Sequence, residues 1–484
     1  MEEKSLKEKT VSGLSWSATD KLFQQTFVFL CGILLARMLT KESYGLIGVL
    51  GIFTGIANLL QESGFTTALI RKKNATEDDY VTVFYTNIAI SIILYLILFF
   101  LAPLIGSFHD NPELVPLSRF VFLSFLFNSF AIIQTAKLLK ELDYSLKTKI
   151  NLFSVLISYG CALLLAYLGY EAWALASQIV IITFVRSVCL WIFGKWRPKG
   201  RFSYTSFREF FSFGSKLVAG GVMNSFTTNI PQNIIEKQYS LGVTGLYAQA
   251  SRLFNTIFDF VTGTIQAVPF PVLSSIDDEV RLKKAFRKFI RAKSLVICPL
   301  FMGMILVAQS FISALLGSKW DGTAPILQLL CIGGFFASMD MSSNDLLRVK
   351  GKAGTILSLE VFRNILIAMV LIVSILLKAD YLYMVGGLSA TYLIKYIASL
   401  YITNKIIGYK TSELLKDLLP YFAVALFSVL CGYLLKYIIP SQLLLFICQI
   451  IFVGIIYFSI LYFSGSVLVK ETFDLIKKSI LKKR

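Results

Sequence analysis

Histidine is almost missing from this sequence: His109 is the one imidazole in 484 residues. Metal sites and catalytic triads that depend on histidine are excluded with it, and His109, in a short polar stretch, is expected to be solvated. Cysteine is present but unorganised. Cys31, Cys161, Cys189, Cys298, Cys331, Cys431 and Cys448 stand apart in apolar runs with no C-x-x-C pair. That excludes a disulfide framework, zinc and iron–sulfur clusters. No G-x-x-x-x-G-K-[ST] phosphate loop occurs, so the chain does not hydrolyse ATP by that route. No metal or cofactor is expected. Charge is scarce as well: 16% of residues are charged, against about 25% in ordinary soluble proteins. So few charges cannot cover a water-soluble surface.

What the chain has instead is length in apolar runs. Hydrophobic residues make up 56% and the mean hydropathy is +0.70. A bilayer core needs about 20 helical residues at about 1.5 Å each. Runs that meet this fall near 11–37, 43–62, 81–102, 116–136, 150–169, 173–194, 207–230, 244–268, 293–316, 325–346, 355–377, 381–403, 416–438 and 441–464. The expected fold is therefore all-α and integral to the membrane, with about 14 transmembrane helices. A β-barrel is excluded, because VFYTNIAISIILYLILFFLA neither alternates nor is as short as a barrel strand. The start, MEEKSLKEKT, is charged and no small-residue cleavage site follows, so the first segment is expected to remain as an anchor.

Basic residues outnumber acidic ones, 47 to 29. Their placement explains the excess without nucleic acid. With the N-terminus inside, 33 Lys and Arg fall in cytoplasmic segments, including seven between Arg281 and Lys293. The opposite loops hold five: Lys41, Lys237, Lys319, Lys378 and Lys436. The positive-inside rule then puts both termini in the cytoplasm.

A weak internal repeat organises the helices. YGLIGVLGIFTGIANLL from Tyr44 resembles TGLYAQASRLFNTIFDF from Thr244, and Gly45-Leu46 and Gly245-Leu246 are offset by 200 residues. An even number of helices between copies gives a parallel repeat about an axis along the membrane normal. Two six-helix lobes follow, 1–194 and 207–403. A basic, aromatic connector at 195–206 joins them on the inner membrane surface. Residues 404–484 add two helices and a basic cytoplasmic tail.

Charges inside helices are the candidate functional groups, because each costs at least ~2.5–3.5 kcal/mol at the bilayer centre unless partnered or wet. Lys21, Lys216 and Arg252 lie on segments expected to flank the lobe interface, where they would line a cationic cavity. Arg186, Arg363 and Lys395 are further candidates. Arg37, Arg119 and Arg208 lie close enough to helix ends to snorkel. Asp20, Glu62, Asp259 and Asp340 are the possible charge partners or ion-coupling groups; Glu360 and Arg363, spaced i, i+3, suit an ion pair. A cationic cavity suits a polyanion, since Arg and Lys match phosphate oxygens. Pro269, Pro271, Pro299 and Gly220-Gly221 provide places where helices could bend.

Several stretches resemble the Wzx-type polysaccharide flippases, in particular the colanic-acid-exporter-like branch. They are YGL…ESGFTTALIRK, RPKGRFSYTSFREFFSFG, GLYAQASRL, PFPVLSSIDDEVRLKKAFRKFIRAKSL and LLGSKWDGTAPILQLLCIGG, within residues 10 to 350. The resemblance implies the multidrug/oligosaccharidyl-lipid/polysaccharide exporter fold, with two six-helix lobes around a central cavity. It also implies translocation of an undecaprenyl-diphosphate-linked oligosaccharide to the outer leaflet of a bacterial cytoplasmic membrane. Membrane lipid, a polysaccharide polymerase and chain-length proteins are then the expected partners. Arg252 matches the basic residue of the family's G-x-Y-x-x-A-x-R-L pattern, whereas Pro231-Gln232-Asn233 departs from the family's usual Asp-Asn there. A multidrug or cation antiporter and a lipid II flippase are the alternatives of the same fold. A membrane glycosyltransferase ranks last, for want of a large extramembranous loop.

Overall fold

The computed structural model describes residues 23–464, apart from 63–64, 67–68, 70–71, 73, 142 and 266–268. The described residues are helical and include no strand. In chain order the helices are α1 Phe23–Met38, α2 Lys41–Val49, α3 Gly51–Glu62, α4 Glu77–Phe108, α5 Leu114–Lys140, α6 Tyr144–Tyr167, α7 Glu171–Phe193 and α8 Tyr204–Gln238. They continue as α9 Leu241–Ile265, α10 Pro269–Ser274, α11 Glu279–Leu315, α12 Thr323–Val349, α13 Ala353–Leu376, α14 Tyr381–Ile407, α15 Thr411–Leu434 and α16 Gln442–Phe463. Helix is the form in which an apolar run satisfies its own backbone in lipid. Polar side chains start several of them. Thr76 and Asp79 form a reciprocal capping box on α4, and Asp278 accepts from the Arg281 N–H at the start of α11.

Among the described residues, ten helices are long and apolar enough to cross a membrane, or eleven if the bent pair α1 and α2 is one span. The segments expected at 11–37, 43–62, 207–230 and 244–268 fall on the others. Helices occur at all four places, but bent, broken or more polar. The axes of α1 and α2 turn by 119°. The expected run 43–62 is broken at Leu50, whose N–H reaches the Ile47 and Gly48 carbonyls. Helix α8 carries Asn224, Thr227, Thr228, Asn229, Gln232 and Asn233, and α9 carries Gln249, Arg252, Asn255 and Asp259.

The chain divides into two compact units, Met1–Ala248 and Gln249–Arg484. In the first, α4 packs on α5, both α5 and α6 pack on α7, and α8 lies against α3 and α4. Val49, Leu50, Leu117, Val121, Phe122 and Phe125 form its largest buried cluster, with Ala172 and Ala176 of α7 admitting close approach. Buried Gln61 donates to Ser91 Oγ at 2.6 Å and to the Phe125 carbonyl at 2.8 Å. Ile93, Ile97, Phe100 and Leu104 of α4 remain exposed, on the face that lipid would cover.

The starts of α2 and α9 cross within this unit. A Cβ on Gly45 would strike the Leu241 carbonyl, and one on Gly245 would strike the Lys41 carbonyl. One turn further, a Cβ on Gly48 would sit 3.4 Å from that of Ala248. Each glycine thus meets the segment that holds the position 200 residues away.

In the second unit α11 is the hub, packed against α12, α15 and α16, while α14 packs on α12 and α13. The basic stretch 281–293 was expected as a cytoplasmic loop before a helix at 293. It is instead the first four turns of α11. Leu282, Phe286 and Ile290 recur every fourth residue and are buried with Leu273, Leu346, Tyr409 and Leu414, so the stretch is an amphipathic helix rather than a loop. The intervening cations are partly neutralised. The buried Asp417 carboxylate of α15 accepts from Arg287 Nε at 2.7 Å, Arg291 Nε at 2.6 Å and the Tyr409 hydroxyl at 2.9 Å. Glu413 pairs with Lys283 at 2.7 Å and with Arg287 at 3.1 Å.

Candidate functional site

The expected site residues separate into three groups. Lys21 and Asp20 lie outside the described residues, and so do the side chains of Lys216 on α8 and Glu62 on α3. Arg186 on α7 and Arg252 on α9 are half-buried, and Asp259, two turns beyond Arg252, is exposed. The Arg252 carbonyl accepts from the Thr256 hydroxyl at 2.9 Å.

The third group comes together on three neighbouring helices of the second unit. Lys395 of α14 is buried, with its ammonium 2.9 Å from Asp340 of α12 and 2.5 Å from Glu360 of α13. Arg363, one turn beyond Glu360, reaches it at 3.6 Å and lies 4.7 Å from the centre of the Tyr392 ring. Asp340 also accepts from Ser399 on α14 and from Asn344 at 3.2 Å. Two cations and two carboxylates therefore compensate one another, which removes most of the cost of placing any of them at membrane depth.

Two further groups, for which the sequence predicts exposed surroundings, are buried. Lys293, expected at a cytoplasmic helix start, is only 2% exposed on α11. It donates to the Ser338 carbonyl and, at 2.9 Å, to Ser342 Oγ, both on α12. Its place was legible in part, since it lies three residues beyond Ile290 in the Leu282–Phe286–Ile290 series. His109 was expected in solvent but is buried, with Nδ1 against the Glu236 carboxylate of α8. Beside it Lys237 donates to Asp110 at 2.7 Å and holds that exposed carboxyl below the usual carboxylate range. No local signal marks this pairing, because the partners are 127 residues apart.

The helices and the buried, internally compensated charges define a multi-pass α-helical membrane protein with a polar interior. A family model described as "Polysaccharide biosynthesis protein" matches residues 34–325, more than half of the chain; the chain belongs to that family. It is 27% identical over 365 residues to the lipopolysaccharide biosynthesis protein WzxC of Escherichia coli K12, covering 75% of this chain and 74% of that one. It is 25% identical over 352 residues to the teichuronic acid biosynthesis protein TuaB of Bacillus subtilis 168, covering 72% and 73%. The fold is similar to that of a solved structure of the lipid II flippase MurJ, inward closed conformation, with a TM-score of 0.73 at 15% identity over 96% of this chain and 100% of that one.

Proposed function

We propose that this protein moves undecaprenyl-diphosphate-linked oligosaccharide repeat units from the inner to the outer leaflet of a bacterial cytoplasmic membrane, for assembly of a surface polysaccharide. It is a transporter and makes or breaks no bond. The observation that carries the reading is the family match over residues 34–325, which includes the GLYAQASRL stretch and Arg252.

The chain crosses the membrane fourteen times with both termini in the cytoplasm. Lobes 1–194 and 207–403 are related by the 200-residue repeat. The reciprocal fit of Gly45 and Gly245 supports that symmetry. The four segments at 11–37, 43–62, 207–230 and 244–268 face a wet cavity between the lobes rather than lipid, which accounts for their polarity. Arg252, Lys21 and Lys216 lie on three of them and bind the diphosphate, while the prenyl chain stays in the bilayer. The lobes then rock, so that the cavity opens on alternate sides. Lys395 and Arg363 are compensated by Asp340 and Glu360, so they hold the second lobe together and are secondary candidates for substrate; Arg186 ranks with them. A polysaccharide polymerase and chain-length proteins take up the product.

The test is the sidedness of lipid-linked repeat units in a deletion strain. Repeat units held on the cytoplasmic face, and released to the outer face by the wild-type gene, are expected. Unchanged sidedness on deletion would refute the assignment.

A further inference from the structure

The basic stretch that opens α11 has two faces. Leu282, Phe286 and Ile290 face the core, and Lys283 and Arg287 turn to Glu413 and Asp417 of α15. Arg281, Lys284, Lys288 and Arg291 recur at spacings of three and four and are all exposed. They form one stripe on the far side of the helix, about 15 Å long. Arg291 shares Asp417, whereas Arg281 and Lys284 have no ion pair among the described residues. Of the acids nearby, Asp278 caps the helix and Glu279 pairs with Lys350 at 2.9 Å. The buried cluster beneath the stripe takes Leu346 from the last turn of α12, Ile407 from the end of α14 and Leu414 from the first turn of α15. Three spans thus begin or end beside it, which sets the stripe at the bilayer surface. At the same level α10, packed on α11 and α12, leaves Phe270 and Val272 exposed.

The geometry points to this stripe as a docking surface for anionic phospholipid headgroups of the adjoining leaflet. Lysine and arginine match phosphate oxygens, arginine with paired N–H donors and lysine as a point charge. Such a charge acts over about 8 Å at physiological salt, so cations at the level of the helix ends lie within range of the headgroups. Each one near an anionic surface tightens binding about fivefold. Phe270 and Val272 supply the apolar contact that a lipid offers and a nucleic acid backbone does not. The stripe is also preformed. The Leu282–Phe286–Ile290 face fixes the helix, and Asp417 and Glu413 hold the cations on its flank, so little ordering is lost when headgroups bind. Docking of this kind is independent of what the protein carries. It holds the start of α11 against the leaflet and gathers anionic lipid around it.

The test is photolabelling of the full chain in phosphatidylcholine nanodiscs that hold either a photoreactive phosphatidylglycerol or a photoreactive phosphatidylcholine at equal mole fraction, with the labelled peptides mapped. In the wild type, segment 269–293 is expected to label several-fold more with the anionic probe. R281Q combined with K284Q should cut that preference about tenfold or more, while R281K combined with K284R should keep it. Equal labelling by the two probes in the wild type would overturn the docking surface, and so would an undiminished preference in the glutamine variant. The wild-type comparison decides even if that variant fails to fold. Unlabelled phosphatidylglycerol should compete with the anionic probe. Displacement by undecaprenyl diphosphate but not by phosphatidylglycerol would overturn the phospholipid assignment in favour of the transported carrier. Labelling needs no transport, so a failed flipping assay leaves this result intact.

Discussion

Gly45 and Gly245 occupy equivalent places on opposite sides of one helix crossing. Gly45 of α2 faces the Leu241 carbonyl, and Gly245 of α9 faces the Lys41 carbonyl. A methyl group at either place meets backbone, which cannot swing aside as a flexible side chain can. Gly45→Ala and Gly245→Ala should each cost about 1–3 kcal/mol by overpacking. Thermal unfolding in detergent checks this. Because the two sites form one contact, the double variant should cost less than the sum of the singles.

Lys395 between Asp340 and Glu360 gives a second prediction. Lys395→Met leaves two facing carboxylates without their shared cation, and Asp340→Asn leaves the cation with one carboxylate. Breaking a buried pair from one side costs about 3–5 kcal/mol, so both single variants should be strongly destabilised. Asp340→Asn combined with Lys395→Met should recover part of that loss. A double-mutant cycle on unfolding measures it, and strict additivity would show that the pair is not coupled.

Tyr409 supplies a pH dependence. It lies between α14 and α15, where burial, together with its hydrogen bond to Asp417, pushes the phenol above its ordinary value. An acid whose folded value is raised contributes stability below its unfolded value of about 10 and loses it as pH rises through the folded one. Stability of the second unit should therefore fall on the alkaline side of pH 10, and Tyr409→Phe should flatten that fall while costing about 1 kcal/mol near neutrality. Alkaline unfolding curves of the two proteins, compared directly, decide it.

Much of this architecture was legible from one feature, the apolar run, because in lipid such a run has little alternative to helix. Helix ends were less so. At 281–293 the seven cations mask the Leu282–Phe286–Ile290 series, and the last of them, Lys293, closes on Ser338 and Ser342. The break at Leu50 was hidden by the apolar residues around it. Pairings between helices had no local trace. The Glu360–Arg363 pair could be read from i, i+3 spacing, but Lys395 with Asp340 is 55 residues apart in number and depends on how α12 and α14 pack. The burial of His109 has the same origin: a short polar loop reads as solvated until the end of α8 is laid over it.

Arg252 carries the central claim, and the direct measurement is the leaflet distribution of undecaprenyl-linked repeat units in a deletion strain complemented with wild type, Arg252→Lys or Arg252→Ala, at matched protein level. The wild type should restore the outer-leaflet pool, Arg252→Lys should restore part of it, and Arg252→Ala should leave the units on the cytoplasmic face. An outer-leaflet pool restored in full by Arg252→Ala would contradict the cationic site.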